Sequence, residues 1–551
     1  MTSSAIPGES AATVSDVDAD AATLARFGYR QELHRVLSLF ENFSVAFCYL
    51  SPMVGIYSLF VLGVGSAGPR YIWLMPVVVA GQLFVALVFA ELGSHYPIAG
   101  ALFQWGKNLL GSGYGWWVGW VYGWALLITV ASVDTGIPSY VGALFHDLFG
   151  VNWDVAAPND ILVITLVLLA IQTLFNLYGV NLLGRISQIG VYVEILGSFG
   201  IAILLGIKGF HHGLGFLFTT QGAEHVATNP LGVNFNGNWL LGAALVAILA
   251  HVYIFYGFES AGDIAEETRD ASRQVPKGII RSLLIGGLAS FILVGGLILA
   301  MPASHSGYTT AASTGGVPYI ISANVGSKPI QDIILFLVCF AFFSCGTAVQ
   351  GAGARLAFSY ARDSAVPGHR LMRRISPRLG TPIYAILLGA IIPALFALLV
   401  HATPSKPIHF LFMTYPAHLN ALFALVSFGV SGIYLAFLMI TVAALIARLR
   451  GWRAAGKFTL GKWAYPVYII AILYGAAMLV NILVPTGLNS AKSVLFNYDW
   501  VTLVVVVIIV IIGALYFFIW RPDRQITRAH PPVAEFAAAS SDTGPGPAAA
   551  D

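Results

Sequence analysis

Twelve stretches of the chain are almost continuously apolar, and the short runs between them carry most of the charge. A helix that crosses a bilayer needs about 20 mostly apolar residues. The stretches are 42–64, 71–92, 115–145, 160–180, 187–207, 239–262, 279–301, 329–354, 381–400, 418–447, 464–485 and 500–520, numbered here as segments 1 to 12. Lipid offers backbone amides and carbonyls no partner, so runs of this kind must satisfy their own hydrogen bonds as helices. The pattern predicts an all-α integral membrane protein with 12 transmembrane helices. An even count brings both termini to the same face.

Composition agrees with this pattern. Of 551 residues, 58% are hydrophobic and only 10% charged, against roughly 25% charged in an ordinary soluble domain. A net charge of +3 is too small to suggest nucleic acid as a partner. The connections decide orientation. The N-terminal tail and the loops after the even-numbered segments, with Arg281 in the first turn of segment 7, hold 23 Lys and Arg, and the opposite loops hold 5 (Arg70, Lys208, Lys328, Lys406 and Lys492). That asymmetry predicts both termini in the cytoplasm, with the plasma membrane as the expected location. Cys48, Cys339 and Cys345 lie in apolar runs without CxxC spacing, so neither disulfides nor a metal site is indicated. The acidic start of the chain (Glu9, Asp16, Asp18, Asp20) has no basic region ahead of a short apolar core, so no cleaved signal peptide is expected.

Two segments are interrupted. Segment 1 contains Ser51, Pro52, Met53, Val54 and Gly55, and segment 6 contains Tyr256, Gly257, Phe258, Glu259, Ser260, Ala261 and Gly262, both near mid-depth. Proline removes an amide donor and glycine loosens the backbone. The bland reading of either is a local kink. Both together, five segments apart, point further. Because five is odd, two five-segment units must insert with opposite topology, the inverted-repeat plan in which broken helices build a central binding site. Each break exposes free carbonyls, which attract an ammonium or cation, and free amides, which attract a carboxylate.

The expected organisation follows from these landmarks. A cytoplasmic tail over 1–38 carries a surface helix, and a first five-segment unit spans 39–207. An exposed extracellular connector covers 208–238, and a second unit spans 239–447. Segments 11 and 12 occupy 448–520, and a disordered cytoplasmic tail covers 521–551. Residues 1–20 and 530–551 read as disordered.

Three motifs carry a family resemblance. Glu91-Leu-Gly-Ser94-His-Tyr96-Pro97-Ile-Ala99-Gly100 closes segment 2. Gly257-Phe258-Glu259 is followed by Glu266-Glu267-Thr268 and a basic stretch to Pro276. Arg355 with Ala361-Arg362-Asp363 and Pro367 follows segment 8. From about residue 35 to 520 the chain resembles the amino acid–polyamine–organocation superfamily, particularly its amino acid/choline transporter branch. The resemblance implies the leucine-transporter-like 5+5 inverted repeat plus two helices, alternating access, and substrate contacts at the breaks of segments 1 and 6. Many such permeases have a small, glycine-rich first break; here Met53 and Val54 crowd it. Several proton-coupled relatives place a lysine in segment 5, where this chain has Glu194. In sodium-coupled members hydroxyls of segment 8 help hold the ion, which brings in Ser344 and Thr347.

Ionisable groups at membrane depth cost roughly 2.5–3.5 kcal/mol on insertion scales and need a reason. Glu259 reads as a proton carrier or ammonium partner, or as a brace for exposed amides. Asp134 in segment 3 reads as an amine or proton site, or as a carboxylate bonded to a neighbouring segment. Glu194 reads as part of a cation site or as a structural hydrogen bond. His251 is expected to be a packing residue. Asp263 and Glu266 match an N-cap with its acid at N3, expected to restart the helix after the second break. Glu91, Arg355 and Arg362 could form gate ion pairs, although positive-inside anchoring explains the arginines more simply. Ser344 and Thr347 could as well bond their own backbone.

The combined expectation is a secondary transporter for an amino acid or closely related amine, coupled to protons or another cation, with no enzyme activity and no cofactor. The alternatives are an organocation or polyamine carrier, and a membrane sensor that binds without transporting.

Overall fold

The computed structural model describes residues 14–151, 158–221, 238–240, 242–401, 408–410, 413–415, 421–483 and 501–530. The expected disorder of residues 1–13 and 531–551, and residues 222–237 of the 208–238 connector, lie outside these. Among the described residues ten helices are long and apolar enough to cross a membrane. They coincide with segments 1–5, 7, 8 and 10–12. The apolar helices at segments 6 and 9, Ala243–Ile254 and Ile383–Leu399, are shorter. One short antiparallel hairpin, Ile408–Phe410 with Met413–Tyr415, interrupts the expected all-helical pattern between segments 9 and 10.

Both interruptions occur, with boundaries that differ from the expected ones. Segment 1 consists of Leu39–Leu50 and Pro52–Ala67, joined at Ser51 alone, so Pro52 to Gly55 are helical rather than unwound. Proline at the first position of the second helix explains this: its missing N–H would have been unpaired there anyway. In segment 6 the helix ends at Ile254, and a single turn over Ser260–Asp263 follows. Asp263 closes that turn instead of capping a helix, and Glu266 lies in a 3-10 turn over Ala265–Glu267. The capping assignment of that pair is therefore corrected. The next helix, Ala271–Leu299, begins after Asp270 in a left-handed conformation.

The side of the molecule bearing the chain ends contains a layer of buried charge pairs. Arg362 meets Glu266 at 2.6 and 2.9 Å, and Arg355 meets Glu267 at 2.9 and 3.0 Å. Arg448 donates to Glu91 at 3.1 Å, and Tyr468 donates to the same carboxylate. All six charged residues are buried. These arginines do more than anchor loops. They hold the ends of segments 2, 6, 8 and 10 together.

The chain ends join this layer, contrary to their reading as surface helix and tail. The N-terminal helix is Val14–Arg26, so residues 14–20 are helical where disorder was expected, and beyond it Tyr29, Leu33 and Leu37 are buried. Val36 and Leu37 donate to the Glu267 carbonyl, and Arg269 donates back to that of Leu37. At the other end Pro522–Ala529 forms a helix where disorder was expected, and His530 stacks on Tyr29 at 4.5 Å between centroids.

Beneath that ring, Lys107 contacts Asp363 at 2.7 Å, and Tyr29 donates to Asp363 at 2.8 Å. Burial alone would push the Asp363 carboxyl up. Lys107, with His530 and Arg362, outweighs it and holds the group below the ordinary aspartate value. A carboxylate shifted this way contributes stability that is complete above its unfolded value of about 4 and is lost as pH falls through the folded one. Asp363→Asn is thus expected to lower the thermal midpoint of the solubilised protein at pH 7, with the deficit shrinking as the pH drops below about 4. A deficit of constant size across a pH series contradicts this account.

Candidate functional site

Ser51 has φ +40°, a region costly for a residue with a Cβ. Its surroundings hold it there. The Ser51 amide closes the first helix on the Phe47 carbonyl at 2.8 Å, and its Oγ accepts from the Val54 amide at 3.2 Å to cap the second. The Ser51 hydroxyl donates to Glu194 of segment 5, and the Met53 amide donates to the same carboxylate at 2.9 Å. Glu194 therefore occupies the positive end of the second half-helix, where free amides favour an anion.

The second break is built around Gly257, with φ +106°. A Cβ there would sit 2.8 Å from the Leu50 amide nitrogen and against the Tyr49 ring, so only glycine allows the close approach of the two breaks. Gly55 extends the same contact: a Cβ on it would lie 2.4 Å from Ile254 Cγ1. Small residues allow such backbone approach where lipid supplies no hydrophobic drive. Tyr49, Tyr253 and Tyr256 pack edge to face around the crossing, with centroids 5.8–5.9 Å apart.

Glu259 braces its own break. Its Oε2 accepts from the Gly257 amide at 2.8 Å, and its carbonyl accepts from the Gly262 amide at 2.8 Å. The Ser260 hydroxyl donates to the Gly257 carbonyl at 2.7 Å. On the opposite oxygen Glu259 meets the hydroxyl of Tyr122, in segment 3, at 3.3 Å, and that hydroxyl reaches Asp263 at 2.7 Å. Met53, Phe258, Glu259, Ser260, Ala261 and Asp263 are all fully buried.

The other candidates stand apart from this crossing. Asp134 accepts from Gln172 of segment 4 at 2.7 Å, which is the neighbouring-segment bond rather than a contact with either break. Its second oxygen has no partner among the described residues. Ser344 and Thr347 donate to the carbonyls of Ala341 and Phe343 in their own helix, at 3.0 and 2.7 Å. Neither shares a ligand with Ser51 or Glu194. His251 packs flat on Tyr71 at 5.0 Å and contacts the Tyr71 carbonyl, as expected of a core histidine. The described residues contain no cluster of three or more metal-binding side chains.

Sequence reasoning missed Tyr122, Gln172 and Asp263 as members of these networks. Tyr122 carries no local signal, since one tyrosine among 23 cannot be singled out by spacing. The arginine–glutamate pairs did leave a trace. Arg355 and Arg362 are seven residues apart, two helical turns on one face, opposite adjacent glutamates.

Comparison with known proteins gives these networks their setting. The family model described as amino acid permease matches residues 40–511. Amino-acid permease BAT1 of Arabidopsis thaliana is 26% identical over 495 residues, covering 86% of this chain and 89% of that protein. The GABA-specific permease of Saccharomyces cerevisiae is 23% identical over 512 residues, covering 90% and 84%. The choline transporter of the same yeast is 25% identical over 493 residues, covering 86% and 79%. These are permeases, not enzymes. The broken, touching segments and a family match across nearly the whole apolar region agree: the chain belongs to the amino acid permease family.

Proposed function

We propose that this chain is a secondary transporter that moves an amino acid or closely related amine across the plasma membrane. In this reading twelve helices cross the membrane as a 5+5 inverted repeat plus two, with both termini in the cytoplasm. The observation that carries it is the direct contact of the two broken segments, Leu50 and Tyr49 against Gly257. Two half-helix ends meeting inside the molecule make a polar locus in a chain whose surroundings are apolar. Substrate would sit against Ser51–Gly55 and Tyr256–Gly262, with Asp134 of segment 3 as a further candidate contact once the segments move. Glu259, Asp134 and Glu194 are the candidates for the coupling cation, and Ser344 and Thr347 the weaker ones. Segments 1, 2, 6 and 7 would rock against 3, 4, 8 and 9. The ion pairs of Glu266, Glu267 and Glu91 would keep the cytoplasmic path shut in the state described.

One observation favours the related reading of an organocation or polyamine carrier. The anion-attracting end in segment 1 is already filled by Glu194. A substrate recognised by its ammonium through Glu259 fits better than one that needs a seat for its carboxylate there. Relatives bearing GABA-specific and choline transporter names fit both readings.

Uptake of radiolabelled alanine, γ-aminobutyrate, choline and putrescine into proteoliposomes under an imposed pH or sodium gradient tests the proposal. Concentrative uptake of at least one is expected. Putrescine and choline should compete for it better than alanine does. Binding of these compounds without uptake or exchange would favour a sensor and overturn the transport reading.

A further inference from the structure

Two carboxylates, Glu259 in the second break and Asp263 one turn nearer the ion-paired layer, meet on one hydroxyl. Tyr122 Oη lies 2.7 Å from Asp263 Oδ2 and 3.3 Å from Glu259 Oε1. A phenol has a single hydrogen to give. The shorter contact takes it, so Tyr122 donates to Asp263. The contact with Glu259 is then a hydrogen bond only if Glu259 Oε1 carries a proton and donates to the phenol oxygen. Glu259 Oε2 is already committed to the Gly257 amide. Asp263 Oδ1 and the Tyr49 hydroxyl are buried without a partner among the described residues. Both sit at this same locus, Tyr49 against Gly257.

We propose that Glu259, Tyr122 and Asp263 form a proton relay, loaded at the substrate break and emptied through Asp263 toward the side of the chain ends. The inference rests on the transport reading above and names the coupling ion as a proton. In the transfer the Glu259 Oε1–H bond breaks and its proton joins the Tyr122 oxygen. The phenol hydrogen passes in the same step to Asp263 Oδ2. Glu259 becomes a carboxylate, Tyr122 stays neutral, and Asp263 becomes a neutral acid, so one proton has moved and no other reactant is needed. The charge left on Glu259 is then available to an ammonium in the break, which orders substrate binding after proton departure.

The surroundings suit one shared proton. Tyr49 of segment 1, Tyr256 of segment 6 itself and Tyr434 of segment 10 lie within electrostatic reach of Glu259, and Arg355 of segment 8 within reach of Asp263. Arg355 is held by both oxygens of Glu267. Among the described residues no basic side chain is bonded to either acid. Two buried carboxylates without a bonded cation are costly to ionise together.

The test follows proton entry with a pH-sensitive dye inside proteoliposomes while a mixture of radiolabelled alanine, γ-aminobutyrate, choline and putrescine enters. About one proton per substrate is expected for the unaltered protein. Tyr122→Phe and Asp263→Asn should each lower that ratio at least fivefold. An unchanged ratio in Tyr122→Phe overturns the relay. Uptake by the unaltered protein without proton entry overturns it too, yet leaves the transport reading standing. No uptake of any component overturns both. If neither variant transports, infrared difference spectra of the purified proteins decide. A protonated carboxyl band that is lost in Glu259→Gln and shifted in Tyr122→Phe supports the relay, and a band indifferent to Tyr122 overturns it.

Discussion

Glutamine in place of Glu259 is expected to abolish uphill uptake while the protein still reaches the membrane. The substitution keeps the side chain's shape and its acceptor oxygen, so the Gly257 amide retains a partner and the break keeps its geometry. What it removes is the ability to gain and lose charge. One charge crossing roughly 100 mV supplies about 2.3 kcal/mol, which corresponds to about a fortyfold accumulation ratio. Loss of that coupling should reduce accumulation by about this factor and leave downhill flux or exchange as the residual activity. The measurement is the steady-state ratio of inside to outside label in proteoliposomes under an imposed potential and pH gradient. A ratio equal to that of the unaltered protein refutes the assignment.

The second large effect is expected in the ion-paired layer. Arg355→Ala leaves Glu267 buried without its bidentate partner. Breaking a buried pair from one side costs about 3–5 kcal/mol, whereas replacing both members with apolar residues of similar size is often neutral. Arg355→Ala should therefore lower the thermal midpoint of the solubilised protein clearly, and Arg355→Met combined with Glu267→Leu should recover most of the loss. The same comparison separates stability from mechanism. If the pair closes the inner path, the double variant should be stable and yet expose that side to a membrane-impermeant thiol reagent, read at a cysteine introduced at Ala101, a buried residue that packs against Gly262 of the second break. A double variant as unstable as Arg355→Ala contradicts the pairing argument.

The two cases differ in how visible they were beforehand. Glu259 stood out because an acid within an apolar run is expensive and lay beside Gly257 in an interruption. Arg355 and Glu267 were visible as charges, but Glu267 stood only within a motif and Arg355 read most simply as an anchor, because the positive-inside rule explains an arginine at a helix end without any partner. Which glutamate an arginine meets depends on how segments 6 and 8 pack, and no spacing within either segment encodes that. Asp263 shows the same limit more sharply. Its spacing to Glu266 matched a helix cap, but the chain makes only a single turn there, and both acids serve long-range partners instead.

Local chemistry was enough to settle what can be settled one segment at a time. The twelve apolar runs, the interruption at Ser51-Pro52 and the one at Gly257 all follow from the cost of unpaired backbone in lipid and from the conformational preferences of proline and glycine. Residues that act through a partner far along the chain could not be read that way. Glu194 reaches Ser51 across 143 positions, Tyr122 reaches Asp263 across 141, and Tyr29 reaches Asp363 across 334. Those meetings are products of helix packing, where the direction of each side chain is chosen by the neighbour it finds. Only the folded arrangement could decide that a carboxylate fills the first break and that a phenol joins two acids beside the second.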